Sequence, residues 1–233
     1  SVLSNVLFLI AALCILIFRD NLIQFANHSL KSIVESWKKI LHVGLPAIAS
    51  NLIVPLSTAL VTALISSYGQ TAVAAYGLAG RLEAFIIVIL MALGGAIAPY
   101  VGQNFGAKRF DRLEEGFKFS MRFILVYSVF CIVFLYFSAE FFLGFFTADP
   151  EVIKIAKMQL LYCPWGYGFL GVAAICNGSF NAFGKPMPAM TISIARTLVV
   201  YVPMAYLFAS FIGIRGIFVA QVVANILAGI AGI

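Results

Sequence analysis

Charged and hydrogen-bonding side chains set inside long apolar runs are the residues from which chemistry is expected, because a polar group in hydrocarbon costs free energy unless it is paired or faces water. Arg81 and Glu83 stand within one such run and Arg196 within another. Residues i and i+2 of a helix do not face each other, so Arg81 and Glu83 are expected to find different partners. Glu83 could hold a cation or a proton in an internal cavity. Equally, Arg81 and Glu83 could be structural charges that hold helices together. Arg196 is the other structural charge, read as deep in its span or as snorkelling toward the cytoplasmic end.

Uncharged polar groups extend the set. Asn51, Pro55, Thr58, Thr62 and Ser66 follow one another at steps of four, three, four and four, which puts them on one helix face. Such a stripe fits the wall of a water-filled cavity, or else the Ser and Thr hydroxyls bond carbonyls of their own helix and need no cavity. Asn177 and Asn181, like Gln221 and Asn225, are i, i+4 pairs, while Tyr162, Trp165 and Tyr167 cluster nearby. Aromatic rings with amides suit a broad pocket for organic cations, although the aromatics also fit an interfacial belt. Tyr76 is counted with Asn51, Thr58, Thr62, Glu83, Asn177, Asn181, Gln221 and Asn225 as candidate cavity wall. No nucleophile elbow, P-loop, HExxH or GxGxxG occurs, so neither an enzyme nor an ATP-driven pump is expected. Cys14, Cys131, Cys163 and Cys176 lie in apolar stretches without metal-like spacing to His. They read as small core residues, and no metal site is expected.

The elements that must position these groups are membrane helices. The 233 residues are 63% hydrophobic and 10% charged, with a mean hydropathy of +1.05, where a soluble domain is nearer half apolar and a quarter charged. Run length and turn residues place spans at about 2–18, 43–66, 72–98, 116–138, 154–182, 187–209 and 213–233, each near the ~17–25 residues needed to cross a bilayer. Between the first two, Ile33, Val34, Trp37, Ile40 and Leu41 recur at helical spacing among Lys31, Lys38 and Lys39, which predicts an amphipathic interfacial helix within a 19–42 linker. Pro46, Pro55, Pro99, Pro164 and Pro203 fall inside the spans, where membrane helices tolerate them as kinks. Ala224, Ala228 and Gly232 form a small-residue stripe suited to close helix packing.

The net charge of +6 does not point to nucleic acid, because the basic residues sit in loops. Arg19, Lys31, Lys38, Lys39, Lys108, Arg109, Arg112, Lys118 and Lys185 fall on one side of the alternating spans, against Lys154, Lys157 and Arg215 on the other. That asymmetry makes the richer side cytoplasmic. The lipid bilayer is the expected partner, and the bacterial inner membrane the expected location. Both ends fall inside apolar runs, so the sequence reads as a piece of a longer protein.

Several stretches together resemble the multidrug and toxic compound extrusion (MATE) family. They are GLPAIASNLIVPLSTALVTALISSYG (Gly44–Gly69), AVAAYGLAGRLEAF (Ala72–Phe85), GGAIAPYVGQNFGAKRFDR (Gly94–Arg112), FFTADPEVI (Phe145–Ile153) and NGSFNAFGKP (Asn177–Pro186). The resemblance implies an all-α membrane protein of about seven transmembrane helices, one plus a six-helix lobe of a twelve-helix transporter. On that likeness residues 1–18 are the last helix of the N-terminal lobe, 19–42 a cytoplasmic linker and 43–233 the C-terminal lobe. It further implies alternating access that exchanges Na+ or H+ for small organic cations, with the missing N-terminal lobe as partner and no cofactor beyond the coupling ion. One branch of the family carries coupling carboxylates in its seventh and tenth helices. Here the stretch Asn51–Pro55 offers Asn51 and no acid, and residues 158–182 contain none. The chain therefore resembles the branch whose coupling acids lie in the absent lobe. Gly102, Gln103, Asn104 and Gly106 read as a structural motif closing a tight cytoplasmic loop. A lipid-linked saccharide flippase of the same superfamily, or a membrane scaffold without transport, is the alternative. The flippase would carry more Arg and Lys in its cavity, and the scaffold would bury Asn51, Thr58 and Thr62 in dry contacts.

Overall fold

In a computed structural model, the described residues are 2–19 and 30–232, with the side chains of 2–4, 18, 19, 39, 42–51 and 186 outside the description. Ser1, residues 20–29 and Ile233 also lie outside it, and with them much of the expected 19–42 linker and His28. Among the described residues every regular element is helical: α1 (Val2–Cys14), which ends in a π turn (Ile15–Arg19), α2 (Leu30–Ser66), α3 (Gln70–Gly106), α4 (Phe110–Gly144), α5 (Pro150–Tyr162), α6 (Tyr167–Ala182), α7 (Pro186–Ile194), α8 (Val202–Ile212) and α9 (Ile214–Gly232). A 3₁₀ turn (Cys163–Gly166) joins α5 to α6 and a π turn (Ala195–Tyr201) joins α7 to α8. Five helical stretches are long and apolar enough to cross a membrane, and Asn5–Ile17 and Leu52–Ser66 are shorter apolar helices. Together they account for the seven expected spans. The predicted amphipathic helix is present, but as the start of α2. Gly44 and Pro46 do not end it, consistent with the tolerance of membrane helices for such residues.

Two compact units are present, residues 1–47 and 48–233. In the first, α1 turns Leu7, Phe8 and Leu9 outward. In the second, α3 packs on α4, α5 and α6, and α9 packs on α6 and α8. Its outer surface is apolar: Phe85, Phe137 and Phe211 are each more than three-quarters exposed. Water would penalise that surface heavily, whereas lipid tails are as apolar as the side chains themselves.

Lipid gives helices little hydrophobic reason to associate, so close backbone approach and cross-helix hydrogen bonds hold the unit. The tightest crossing joins α3 and α6. A Cβ at Gly178 would stand 2.3 Å from the Gly94 carbonyl oxygen, and one at Gly94 would stand 2.9 Å from that of Ala174. Tyrosines then bridge helix to helix through backbone carbonyls. Tyr127 Oη donates to Ile86 O at 2.8 Å, Tyr68 Oη to Ala209 O at 3.2 Å and Tyr206 Oη to Leu60 O at 3.4 Å. The small-residue stripe of α9 is a packing face, since Ala224 and Ala228 are buried and a Cβ at Gly232 would meet Cys176 at 3.1 Å. Cys131 and Cys163 are buried, whereas Cys14 is exposed.

Loop residues explain the turns. Gly69, Gly184 and Gly213 take positive φ, a region open to glycine at little cost. At the α3–α4 loop, the carbonyls of Gln103, Asn104 and Phe105 accept from Ala107, Arg109 and Lys108 amides, and Asn104 Nδ2 donates to Tyr100 O. Asp149 caps α5, its Oδ1 accepting from Glu151 N at 2.9 Å, with Pro150 in the first turn, where a missing N–H costs nothing.

The α3–α6 crossing can be tested directly. Gly178→Ala should destabilise the protein by about 1–3 kcal/mol through overpacking, lowering the thermal midpoint followed by size-exclusion fluorescence. Gly95→Ala, with no atom within 4 Å of the added Cβ, should leave the midpoint unchanged or raise it.

Candidate functional site

The prolines that interrupt the spans shape the interior. An α-helical Pro203 would owe an amide hydrogen to the Val199 carbonyl and has none, while its ring crowds that carbonyl. The chain answers with the widened turn Ala195–Tyr201 immediately before α8. Such turns recur at functional sites. Here the turn carries Arg196, Thr197 and Tyr201 to one cavity of about 140 Å3, whose wall also includes Ser57 and Thr58 of α2, Tyr76 of α3, and Gln221 and Asn225 of α9. A second cavity of about 310 Å3 lies between α3, α6 and α7, lined by Asn177, Gly178, Asn181 and Ser193 among others. Arg196 lines both.

The hydrogen bonds give each polar group a direction. Arg196 reaches across to α9, its Nη1 donating to Asn225 Oδ1 at 2.9 Å, instead of extending toward its helix end. Asn225 is buried at 1% exposure. Ser57, Thr58 and Thr197 spend their hydroxyl hydrogens on carbonyls one turn back, those of Ile53, Val54 and Ser193. The self-bonded Ser and Thr and the cavity wall are therefore the same residues. Cys163 Sγ donates to Gln221 Oε1 at 3.5 Å. Asn177 Nδ2 donates to Ser193 Oγ at 3.2 Å, leaving its Oδ1 buried without a partner. Tyr201 Oη is buried, with the Tyr76 hydroxyl as its neighbour.

Glu83 lies apart from both cavities. It is 6% exposed, and its carboxylate accepts from Tyr167 Oη at 2.9 Å and Gln159 Nε2 at 3.1 Å, with Cys163 alongside. Arg81 is exposed and, among the described residues, makes no ion pair. The structure thus brings together Thr58, Tyr76, Gln221 and Asn225 with Arg196, and Asn177 with Asn181. Thr62 and Glu83 line neither cavity, and the Asn51 side chain is outside the described residues. Sequence reasoning missed Ser57, Gln159, Thr197 and Tyr201. Gln159 was the most visible of these, an amide among apolar neighbours. Among the described residues no group of three or more His, Cys, Asp or Glu could hold a metal ion.

Comparison with known proteins agrees with this architecture. The MatE family model matches residues 46–207. Over 217 residues the chain is 31% identical to the FAD transporter of Shewanella oneidensis, covering 93% of the chain and 48% of that relative. The multidrug export protein MepA of Staphylococcus aureus is 23% identical over 197 residues, 84% of the chain and 43% of MepA. Among solved structures, the bent form of the Vibrio cholerae MATE transporter VcmN matches with a TM-score of 0.78 at 33% identity, covering 86% of this chain and 46% of that one. The chain spans a little under half the length of these relatives. With a family model over most of its length and a fold shared with a solved member, the chain is an integral membrane protein that belongs to the MatE family.

Proposed function

We propose that the chain is the second half of a secondary active antiporter that exports small organic solutes in exchange for Na+ or H+ by alternating access. The observation that carries the reading is the pair of polar-lined cavities meeting at Arg196 inside a membrane-spanning helical unit. A scaffold has no use for such cavities, and a saccharide flippase would need more than one basic side chain there. The coupling ion is assigned to the part of the transporter outside this chain, because the one deep carboxylate, Glu83, is enclosed by Tyr167 and Gln159 away from either cavity.

Organic cations are the cargo suggested by family likeness, and the name of MepA, a multidrug export protein, agrees with drug export. A second reading, anionic aromatic cargo, is favoured by one specific observation: among the described residues no carboxylate lines either cavity, and the one charged side chain there is Arg196. The name of the Shewanella oneidensis relative, an FAD transporter, points the same way.

Full-length protein in proteoliposomes should move ethidium or FAD outward when a Na+ or H+ gradient is imposed. Absence of gradient-driven flux of both solutes would sink the antiporter reading. Glu83 gives a separate test. Glu83→Gln should keep both transport and fold, since rotating the Gln159 amide turns its unpartnered Oε1 toward the new amide. Glu83→Ala strands two buried donors and should cost about 1–3 kcal/mol for each, read as a lower thermal midpoint. Loss of gradient coupling in a stable Glu83→Gln protein would instead place the carboxylate in the ion pathway.

A further inference from the structure

We propose that the cavity around Arg196 is an anion subsite that receives the phosphate group of a phosphorylated aromatic cargo. The inference deepens the second reading above and rests on it.

The case begins with donors and acceptors. A guanidinium carries five N–H donors and no acceptor, and among the described residues the protein engages one of them, through Asn225. No acidic side chain balances the charge, since the ion pairs among the described residues are Lys118–Glu114 and Lys157–Glu140, both elsewhere. An intramembrane Arg without a carboxylate needs an anion or water.

The rest of the wall is set in the same sense. Asn225 spends its Oδ1 on Arg196 and packs its Nδ2 against Gly166, while Gln221 spends its Oε1 on Cys163, which leaves its Nε2 as a free donor. The Tyr201 and Tyr76 hydroxyls stand side by side on the wall. Ser57, Thr58 and Thr197 have already given their hydrogens to their own helices. They solvate the rim but do not supply the cation-binding carboxylate that the cavity lacks. The free hydrogen-bonding capacity is therefore mostly donor, arranged around one fixed positive charge.

Size narrows the ligand group. About 140 Å3 is too small for a drug-sized molecule, whose pockets run to ~300–1,000 Å3, yet it admits a phosphate with water. Arg–phosphate recognition is favoured by the planar fork of the guanidinium. Because Arg196 also lines the 310 Å3 cavity between α3, α6 and α7, the bulk of the cargo has a place next to its phosphate.

Riboflavin 5′-phosphate and riboflavin differ by that group alone, and both fluoresce. Binding of each to purified full-length protein in lipid-free detergent is measured by fluorescence titration with no ion gradient. The phosphorylated probe should bind at least tenfold more tightly, and inorganic phosphate should displace it without displacing riboflavin. Arg196→Gln should erase the difference by weakening the phosphorylated probe far more than riboflavin. Asn225→Asp, which places a carboxylate against the guanidinium and so keeps it paired, should do the same if Arg196→Gln fails to fold. Equal affinities in the unaltered protein, or a difference that survives both substitutions, would overturn the subsite. Displacement of the phosphorylated probe by phosphatidylglycerol micelles, but not by phosphatidylcholine, would assign the phosphate to a lipid headgroup and overturn the cargo assignment. A protein that pumps under a gradient yet shows no phosphate preference refutes the subsite alone. One that shows the preference but pumps nothing refutes the antiporter reading alone.

Discussion

A polar group inside hydrocarbon has no water to turn to, and that single constraint governs where this chain can be irregular. Backbone amides are satisfied within helices almost throughout. At Pro164 and Pro203 the missing amide hydrogen coincides with a 3₁₀ turn at Cys163–Gly166 and a π turn at Ala195–Tyr201, whereas α2 and α3 run on through Pro55 and Pro99. Both departures face other helices. Cys163, Pro164 and Gly166 are buried, and a Cβ at Gly166 would meet the side chain of Asn225. The same rule explains the tyrosines. A ring that spans the gap between two helices and ends on a carbonyl supplies apolar contact with lipid-compatible surface and one satisfied hydrogen bond.

Association without a hydrophobic drive makes small residues as important as polar ones. Gly94, Ala174 and Gly178 let α3 and α6 approach until backbone atoms nearly touch, and Gly216 lets α9 meet α8 at Phe208. Such crossings fix the distance between helices more rigidly than long side chains can. They also set the floor of the larger cavity, which Gly94 and Gly178 themselves line. Packing and cavity are two consequences of one small-residue pattern: the backbones close at the glycines and part where side chains lengthen.

Much of the fold was legible because its signals are local. Apolar run length marks each span, glycines at Gly69, Gly184 and Gly213 mark turns, and prolines mark two of the three departures from α-helix, the π turn Ile15–Arg19 having none. Their kind was not legible, since whether a proline kinks, tightens or widens a helix depends on what neighbouring helices accept. The end of the amphipathic segment was also hidden, because Gly44 and Pro46 look like punctuation but do not stop α2. At the site, residue type was readable and pairing was not. Arg196 and Asn225 each stood out as polar in an apolar span, yet their hydrogen bond joins positions 29 residues apart. Tyr201 was lost within the uncharged run Leu198–Ile214, where a single hydroxyl does not break the apolar pattern. Ser57 lay one residue off the stripe that drew attention to Thr58.

The two deep charges of the second unit are treated in opposite ways, and the contrast says what each is for. Glu83 is given a hydrogen bond to each carboxylate oxygen, from Tyr167 and Gln159, and is closed off by packing. Arg196 is given one acceptor for five donors, set on a widened turn, and opened to two cavities. Moving an Arg to the centre of a membrane helix costs ~3 kcal/mol even on insertion scales. A charge held only for packing would recover that cost through hydrogen bonds, and Glu83 receives a neutral donor on each oxygen. A guanidinium with donors to spare is unfavourable in hydrocarbon, and water or an anion in the cavities it lines offsets that cost.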